Sequence, residues 1–507
     1  MISMNAKHSL CTISLVVTLL CFAGEIKAQS RYERVLLDNL WNDGVGVNGI
    51  RMGSVGAAEA SLYTGWEQGG LKEAWAAPSL WTAGAQTRAI RHMDRFSMTG
   101  AFAFEQRQGE GMCGPMSIEP GYFPIEVWEF TPGRKTLQSY LVDGGISVDL
   151  DESWRLGGRF TMNSRNYSKR KDLRHLNYRL DLECAAGVMW HSGGLSVEAD
   201  ALLGRAAETI SADQIGLTQG YLQAFLDKGQ MYGVSELWTG SGVHLAEPGV
   251  NSLPMSENSF GAALEAGWKD KAFASLQYRH KRGVAGEKEF IWYTFPSDEL
   301  ALRLGCRMGA HSLRLSLTGS AQTNSESVLD KISEGGITTV KNYGSNQILE
   351  RRCLLIMPSY QYDNQALTLR AEARYEIQRS LSSLVYPYLK WQQTELLDTR
   401  VSGRYHLGSL ELELWLGASL GSLRERESQL SEVQVEGLPQ RYEQGFAQIY
   451  EYLCMPKAKG GLQARWYPGG KSWFLGLDAE ALLGLGPCEV LDGRTRAGAS
   501  IRVGLDF

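Results

Sequence analysis

The sequence predicts an all-β fold, a transmembrane antiparallel β-barrel of about 16 strands (14 to 18). Three observations predict it. A period of two, apolar against polar, recurs over most of the chain. The connections alternate between short and long. No run of roughly 18 apolar residues follows the first segment, so no helix is expected to cross a bilayer.

Residues 1–28 have the pattern of an export signal. Lys7 and His8 precede the apolar run Leu10 to Ala23, and Ala28 supplies the small residue wanted before cleavage. A lipoprotein signal on Cys21 is the weaker reading, because Leu20 before it is bulky. The run is also shorter than the ~20 residues of a retained transmembrane helix. Residues 29–90 do not alternate cleanly. Arg34–Trp41 reads as a short helix, followed by coil rich in glycine (Gly44, Gly46, Gly49, Gly53 and Gly56). This stretch is read as a plug entering the lumen, an arm packed on the barrel base, or the first hairpin. Residues 91–507 are assigned to the barrel, and strand-like pieces at 57–65 and 80–91 allow one more pair.

The alternation is explicit strand by strand, since successive side chains of a strand face opposite ways. Trp154, Leu156, Phe160 and Met162 oppose Arg155 and Arg159. Tyr178, Leu180 and Leu182 oppose Arg179, Asp181 and Glu183. Leu195, Val197 and Ala199 oppose Glu198 and Asp200. Leu300, Leu302, Leu304 and Met308 oppose Arg303 and Arg307. The longest example sets Leu367, Leu369, Ala371, Ala373, Tyr375 and Ile377 against Arg370, Glu372, Arg374 and Glu376. Leu410 to Leu416 oppose Glu411 and Glu413, and Leu475, Leu477, Ala479 and Ala481 oppose Asp478 and Glu480. The last stretch, Thr495 to Phe507, sets Ile501, Val503, Leu505 and Phe507 against Arg496, Arg502 and Asp506. The apolar face is expected to meet lipid, and the charged residues to line the lumen.

Short turns are expected at Asp151–Ser153, His191–Gly194, Lys269–Lys271, Gly309–Ser312, Asp363–Gln365, His406–Ser409 and Pro468–Lys471. Longer loops fall between them at 108–136, 165–174, 206–258, 284–296, 321–346, 379–398, 422–445 and 486–493. Short periplasmic turns and long outer loops are the barrel pattern. The lining carries both signs of charge. Such groups are costly to bury unless paired or wet. They either lace a mostly closed barrel or set the selectivity of a solute path. Mixed sign favours lacing. The loop 206–258, with Tyr221, Phe225, Leu226 and Trp238, is too apolar for a disordered tail and is expected to form a lid over the mouth or to meet another protein.

Catalytic signals are weak. Gly417–Gly421 reads G-x-S-x-G, but Ser419 continues a strand instead of turning into a helix. His244 with Ser241, in the longest loop, is the one arrangement that could join a rim site. Paired histidines at metal-ligand spacing are missing, so no metal, no cofactor and no enzymatic activity are expected. Cys113 and Cys488 form the one cysteine pair worth checking for a disulfide. With a net charge of -5 the chain suggests no nucleic-acid partner. The expected partners are outer-membrane lipid and lipopolysaccharide, the latter through Lys169–His175, and another outer-membrane or surface protein.

Three stretches carry a resemblance: Pro120–Thr136 (P-G-Y-F-P-I-E-V-W-E-F-T-P-G-R-K-T), Trp154–Phe160 (W-R-L-G-G-R-F) and Asn166–Leu180 (N-Y-S-K-R-K-D-L-R-H-L-N-Y-R-L). They resemble an outer-membrane β-barrel family of the Bacteroidota carrying a domain of unknown function. The resemblance implies location and fold, and it brings no catalytic or binding residues. By architecture alone the chain is also similar to long-chain fatty-acid transporters, barrels with an amino-terminal hatch. Together these readings lead to an expected gated or plugged channel for nutrient uptake, or the barrel of a surface complex. A barrel that docks partners through its outer loops is the alternative, and a barrel enzyme the second alternative.

Overall fold

The computed structural model describes residues 40–49, 56–171, 173–213, 224–229, 235–237, 251–287, 290–334, 337–364, 366–383, 389–428, 440–470 and 472–507. The expected export signal and the Ser241–His244 pair lie outside the described residues.

Eighteen long strands close into a barrel, and two short ones attach to its rim. In chain order they are β1 (Ala57–Gly69), β2 (Ser79–Met93), β3 (Phe96–Pro115), β4 (Glu126–Asp149), β5 (Trp154–Lys169), β6 (Arg174–Ser192) and β7 (Leu195–Asp213). The rim strands β8 (Ala224–Asp227) and β9 (Ser235–Leu237) follow. Then come β10 (Asn251–Trp268), β11 (Ala272–Glu287), β12 (Phe290–Met308), β13 (His311–Glu334), β14 (Ile337–Asp363), β15 (Leu367–Ser383), β16 (Leu389–Leu407) and β17 (Leu410–Ser428). After the helix α1 (Gln440–Cys454) come β18 (Lys457–Trp466), β19 (Trp473–Gly484) and β20 (Thr495–Asp506). The wall is antiparallel throughout. β7 pairs directly with β10, while β8 pairs with the start of β4 and with β9. The wall closes where β1 meets β20, in register from Glu59↔Asp506 to Gly69↔Arg496.

The central expectation of 16 strands is corrected to 18, because 57–69 and 79–93 form the first hairpin of the wall. The barrel therefore begins before residue 91. Most of the expected loops 165–174, 284–296, 321–346 and 379–398 is also strand. β14 alone runs for 27 residues, far beyond the 9–11 that cross a bilayer. The period-two signal fades there for a physical reason. Above the lipid both faces of a strand meet polar surroundings, so nothing selects an apolar outer row. All seven expected short turns lie at one end of the barrel, joined by Asp94–Arg95 between β2 and β3.

The outer face keeps its large apolar side chains exposed, up to 73% for Leu416. Phe96, Trp154, Trp268, Trp466 and Trp473 ring the short-turn end, and Trp66, Trp81 and Tyr178 stand toward the other. Aromatic girdles of this kind flank the apolar band of transmembrane barrels. The largest buried apolar cluster lies inside the mouth at the long-loop end. It joins Phe123, Ile125 and Val127 to Ile210, Leu253, Trp292 and Phe295.

Candidate functional site: a lumen closed at both ends

At the short-turn end a segment of the chain enters the barrel. Leu40–Asp43 forms a 3-10 turn, and Leu40 and Trp41 pack on Met189 and Phe273 of the wall. Trp41 meets the Phe273 ring edge-on at 5.1 Å. Beyond it, Val47 and Asn48 donate their backbone N–H groups to Glu198 Oε1, each at 2.8 Å, and Val45 donates to Glu265 Oε1 at 2.7 Å. The Asn48 amide donates to the Gly187 carbonyl at 3.0 Å, and its oxygen accepts from Ser147. Two glycines allow this approach. A Cβ at Gly44 or Gly46 would fall on the carboxylate of Glu265, and at Gly46 also on that of Glu198. Among the described residues, 40–49 lie inside the barrel wall, and 57–69 with 79–93 form the first hairpin of that wall.

At the other end the connection from β3 to β4, residues 116–125, folds down into the mouth as a lid. Its Glu119 pairs with Arg165 and, at 3.1 Å, with Arg179. Tyr122 lies over the Arg179 guanidinium at 4.1 Å and donates to Glu257 at 3.1 Å. Burial pushes the Tyr122 phenol well above its usual range, so it stays a neutral donor. Ile118 donates to Glu208, and Arg351 donates to the Gly121 carbonyl. Below the lid, Glu129 holds two buried lysines, Lys169 at 2.6 Å and Lys135 at 3.2 Å. Helix α1 reaches over from β17 and sets Phe446 against Trp128. Strand β8 buries Phe225 and Leu226 against the same rim, as a lid from the loop 206–258 would require. Within the run Lys169–His175, Lys169 and His175 are buried in the wall, whereas Arg170, Lys171 and Arg174 are exposed.

Most of the residues expected on the lining meet an opposite charge. Arg155 pairs with Asp149 at 2.7 Å, and Arg159 with Asp143 at 3.1 Å. Arg179 and Arg165 share Asp181. Glu183 meets Arg279, and Arg307 meets Asp270 at 2.6 Å. Arg370 pairs with Glu372 and Arg374 with Glu376. Glu411 and Glu413 both hold Arg404, and Glu413 also holds Arg400 at 3.1 Å. Arg496 pairs with Glu67 at 3.0 Å. Asp478 accepts from Gln463 and Ser500, Arg303 donates to Gln277, and Arg502 lies over the Tyr63 ring. Glu480 faces a cavity. Lacing of the wall is thus the main use of the mixed charges. Ser419 remains within β17, and Cys113 and Cys488 are both free thiols.

Two cavities lie against the wall among the described residues. One, of about 600 Å³, lies along β12 to β18. Its lining has five cationic side chains (Arg303, Arg314, Arg374, Arg400 and Lys459) and two anionic ones (Glu372 and Asp398), with Met357 and Trp415 as apolar surface. The other, of about 360 Å³, lies against β1 to β3 and β17 to β20, among Tyr63, Glu105, Arg107, Asp478, Glu480 and Arg502. Arg400 and Trp415 border both, and the guanidinium sits over the indole at 4.4 Å. Sequence alternation placed Arg400 and Trp415 in no set, because Arg400 falls at the edge of an expected loop and Trp415 among leucines and glutamates. The lid contacts were missed too, since they join residues some 40 to 230 positions apart.

The model of a family described as "Family of unknown function (DUF6850)" matches residues 51–507. No curated protein matches the chain. Among solved structures it is similar to BauA, the ferric preacinetobactin receptor from Acinetobacter baumannii, at 8% identity and a TM-score of 0.41, over 89% of this chain and 80% of that one. It is similar to the FrpB iron transporter from Neisseria meningitidis (F5-1 variant) at 7% identity and a TM-score of 0.43, over 89% and 81%. The ferric yersiniabactin uptake receptor FyuA from Yersinia pestis gives 7% and 0.40, over 90% and 80%. Values this low bear on no question of substrate.

Proposed function

The chain belongs to the DUF6850 family, and we propose that it is an integral outer-membrane barrel, not an enzyme, that admits a small solute through a lumen shut at rest by its own plug and lid. The observation that carries this reading is a cavity of about 600 Å³ left in a barrel that is otherwise occupied, from its two ends, by segments 40–49 and 116–125. A barrel serving only as an anchor needs no such chamber. The lining there has more cationic than anionic side chains, beside Met357 and Trp415. An anionic solute with an apolar part suits it best. The resemblance to outer-membrane barrels of the Bacteroidota fits this reading, as does the looser likeness to long-chain fatty-acid transporters.

Docking of a partner through the outer loops is less well supported. Much of the loop 108–136 is buried in the mouth, with Met116, Phe123 and Ile125 in its core. Planar-bilayer recording tests the reading. The full barrel should be closed. A variant lacking both 40–49 and 117–125 should conduct and prefer anions. A large steady pore in the intact protein, or a doubly deleted barrel that folds yet never conducts, would sink the proposal.

A further inference from the structure

Where the plug meets the wall, three carboxylates converge. Glu198 and Asp200 are two residues apart on β7 and so share its inward row. Glu265 of β10 lies directly across the ladder from Glu198. One oxygen from each comes within 4.8 Å of the others, and all three residues are buried, at 0%, 5% and 1% exposure. Like charges directly opposed in a sheet repel, and buried carboxylates need a counter-charge. None of the three has a salt bridge to lysine or arginine among the described residues.

Their hydrogen bonds leave a specific remainder. Glu198 Oε1 accepts from Val47, Asn48 and the Asn48 amide, and Glu265 Oε1 from Val45 and, at 2.9 Å, from Ser275. Asp200 Oδ1 faces the Val47 N–H at 3.4 Å. The second oxygen of each, Glu198 Oε2, Asp200 Oδ2 and Glu265 Oε2, is buried with no partner. Three orphaned acceptors therefore belong to one buried cluster of carboxylates behind the plug. An all-oxygen, anionic donor set without histidine or cysteine selects a hard divalent cation, and a flexible set of carboxylates suits Ca²⁺ better than the octahedral demands of Mg²⁺.

We propose that Glu198, Asp200 and Glu265 form a calcium-class cation site that locks the plug segment 44–48 to the wall. The cation supplies the counter-charge that the protein does not. The same carboxylates bind the plug backbone with their other oxygens, so filling the site fixes plug and wall together. This goes beyond transport, and its test requires none.

The test uses the full mature chain, folded in detergent, freed of lipopolysaccharide and stripped with chelator. Tb³⁺ stands in for Ca²⁺, and its emission is excited through tryptophan. Trp41 lies against Gly267, two residues from Glu265, and is placed to sensitise it. The expected result is saturable emission at one ion per chain, displaced by Ca²⁺. Emission should fall sharply in W41F, with binding retained by calorimetry. Affinity should drop at least tenfold in E265Q and in D200N, each checked as folded by heat-modifiable gel migration. Ca²⁺ should also slow proteolysis at 40–49 in the unaltered protein and not in E265Q. If the unaltered protein binds neither ion at millimolar concentration beyond an E198Q/D200N/E265Q variant, the carboxylates share protons instead and the proposal is overturned.

Discussion

The wall from β4 to β12 and the wall from β13 round to β3 are made of the same alternating strands, yet they enclose different things. The first is packed with the lid, the buried apolar cluster and the plug. The second faces the two cavities. Their charges differ accordingly. Lys135, Lys169 and Arg179 in the filled half are 1%, 0% and 1% exposed, whereas Arg374 and Arg400 in the hollow half are 52% and 45% exposed. Identical residue types thus do two jobs. In the filled half an ion pair fixes a closure, because either partner alone would be a buried charge. In the hollow half, Arg374 and Arg400 are paired yet half-exposed and face a chamber.

Substitution separates the two halves. Glu129→Ala should have the largest effect, since it leaves Lys135 and Lys169 buried without an anion. A loss of about 3–5 kcal/mol is expected, read as rapid hydrogen exchange across 116–130. Glu376→Ala, which frees only the exposed Arg374, should cost about 1 kcal/mol or less. Equal costs would erase the distinction between the halves. Next, Phe123→Ala removes a ring from the lid core and should loosen the lid by roughly 3 kcal/mol. In a planar bilayer, brief openings should become visible with this variant.

Arg400→Ala should leave stability nearly unchanged, since Glu413 keeps Arg404 as its partner and the contact with Trp415 is worth about 0.5–1 kcal/mol. In the doubly deleted, conducting barrel it should raise conductance and weaken anion preference. A stability loss several times larger would mean that the Arg400–Glu413 pair holds the wall together. The smallest effect is expected at Glu73, in the connection between β1 and β2 on the hollow side. Burial pushes its carboxyl above the ordinary value of 4.5, against the opposing pull of Lys457 and Arg496. The folded form therefore holds the proton more tightly than the unfolded one. The stabilisation is fully present below pH 4.5 and is lost as pH rises through the raised value. Exchange at 70–78 should quicken over that window, and Glu73→Gln should abolish the dependence.

The wall was legible in the sequence because lipid imposes a local rule. Leu367 to Ile377 must be apolar at every second position, and the residues between show their side by default. The glycines from Gly44 to Gly49 marked a segment able to lie close against something, though not against what. The rest depends on contacts between distant residues. Nothing near Ile125 or Val127 announces that they turn inward onto Trp292 and Phe295. Glu265 was not read as lining because the strand that carries it begins within the expected loop 206–258. Nor could the cavities be read, since a lumen is hollow only where no other segment happens to fill it.

The joint between β1 and β20 has a consequence for biogenesis. Ala58 and Phe507 exchange backbone hydrogen bonds, N–H to carbonyl in both directions, at 3.1 and 2.8 Å. Until that joint forms, both strands present unsatisfied edges that lipid cannot solvate. Insertion of a half-made sheet is therefore unfavourable. Both edges must therefore stay sheltered from lipid until the two strands meet.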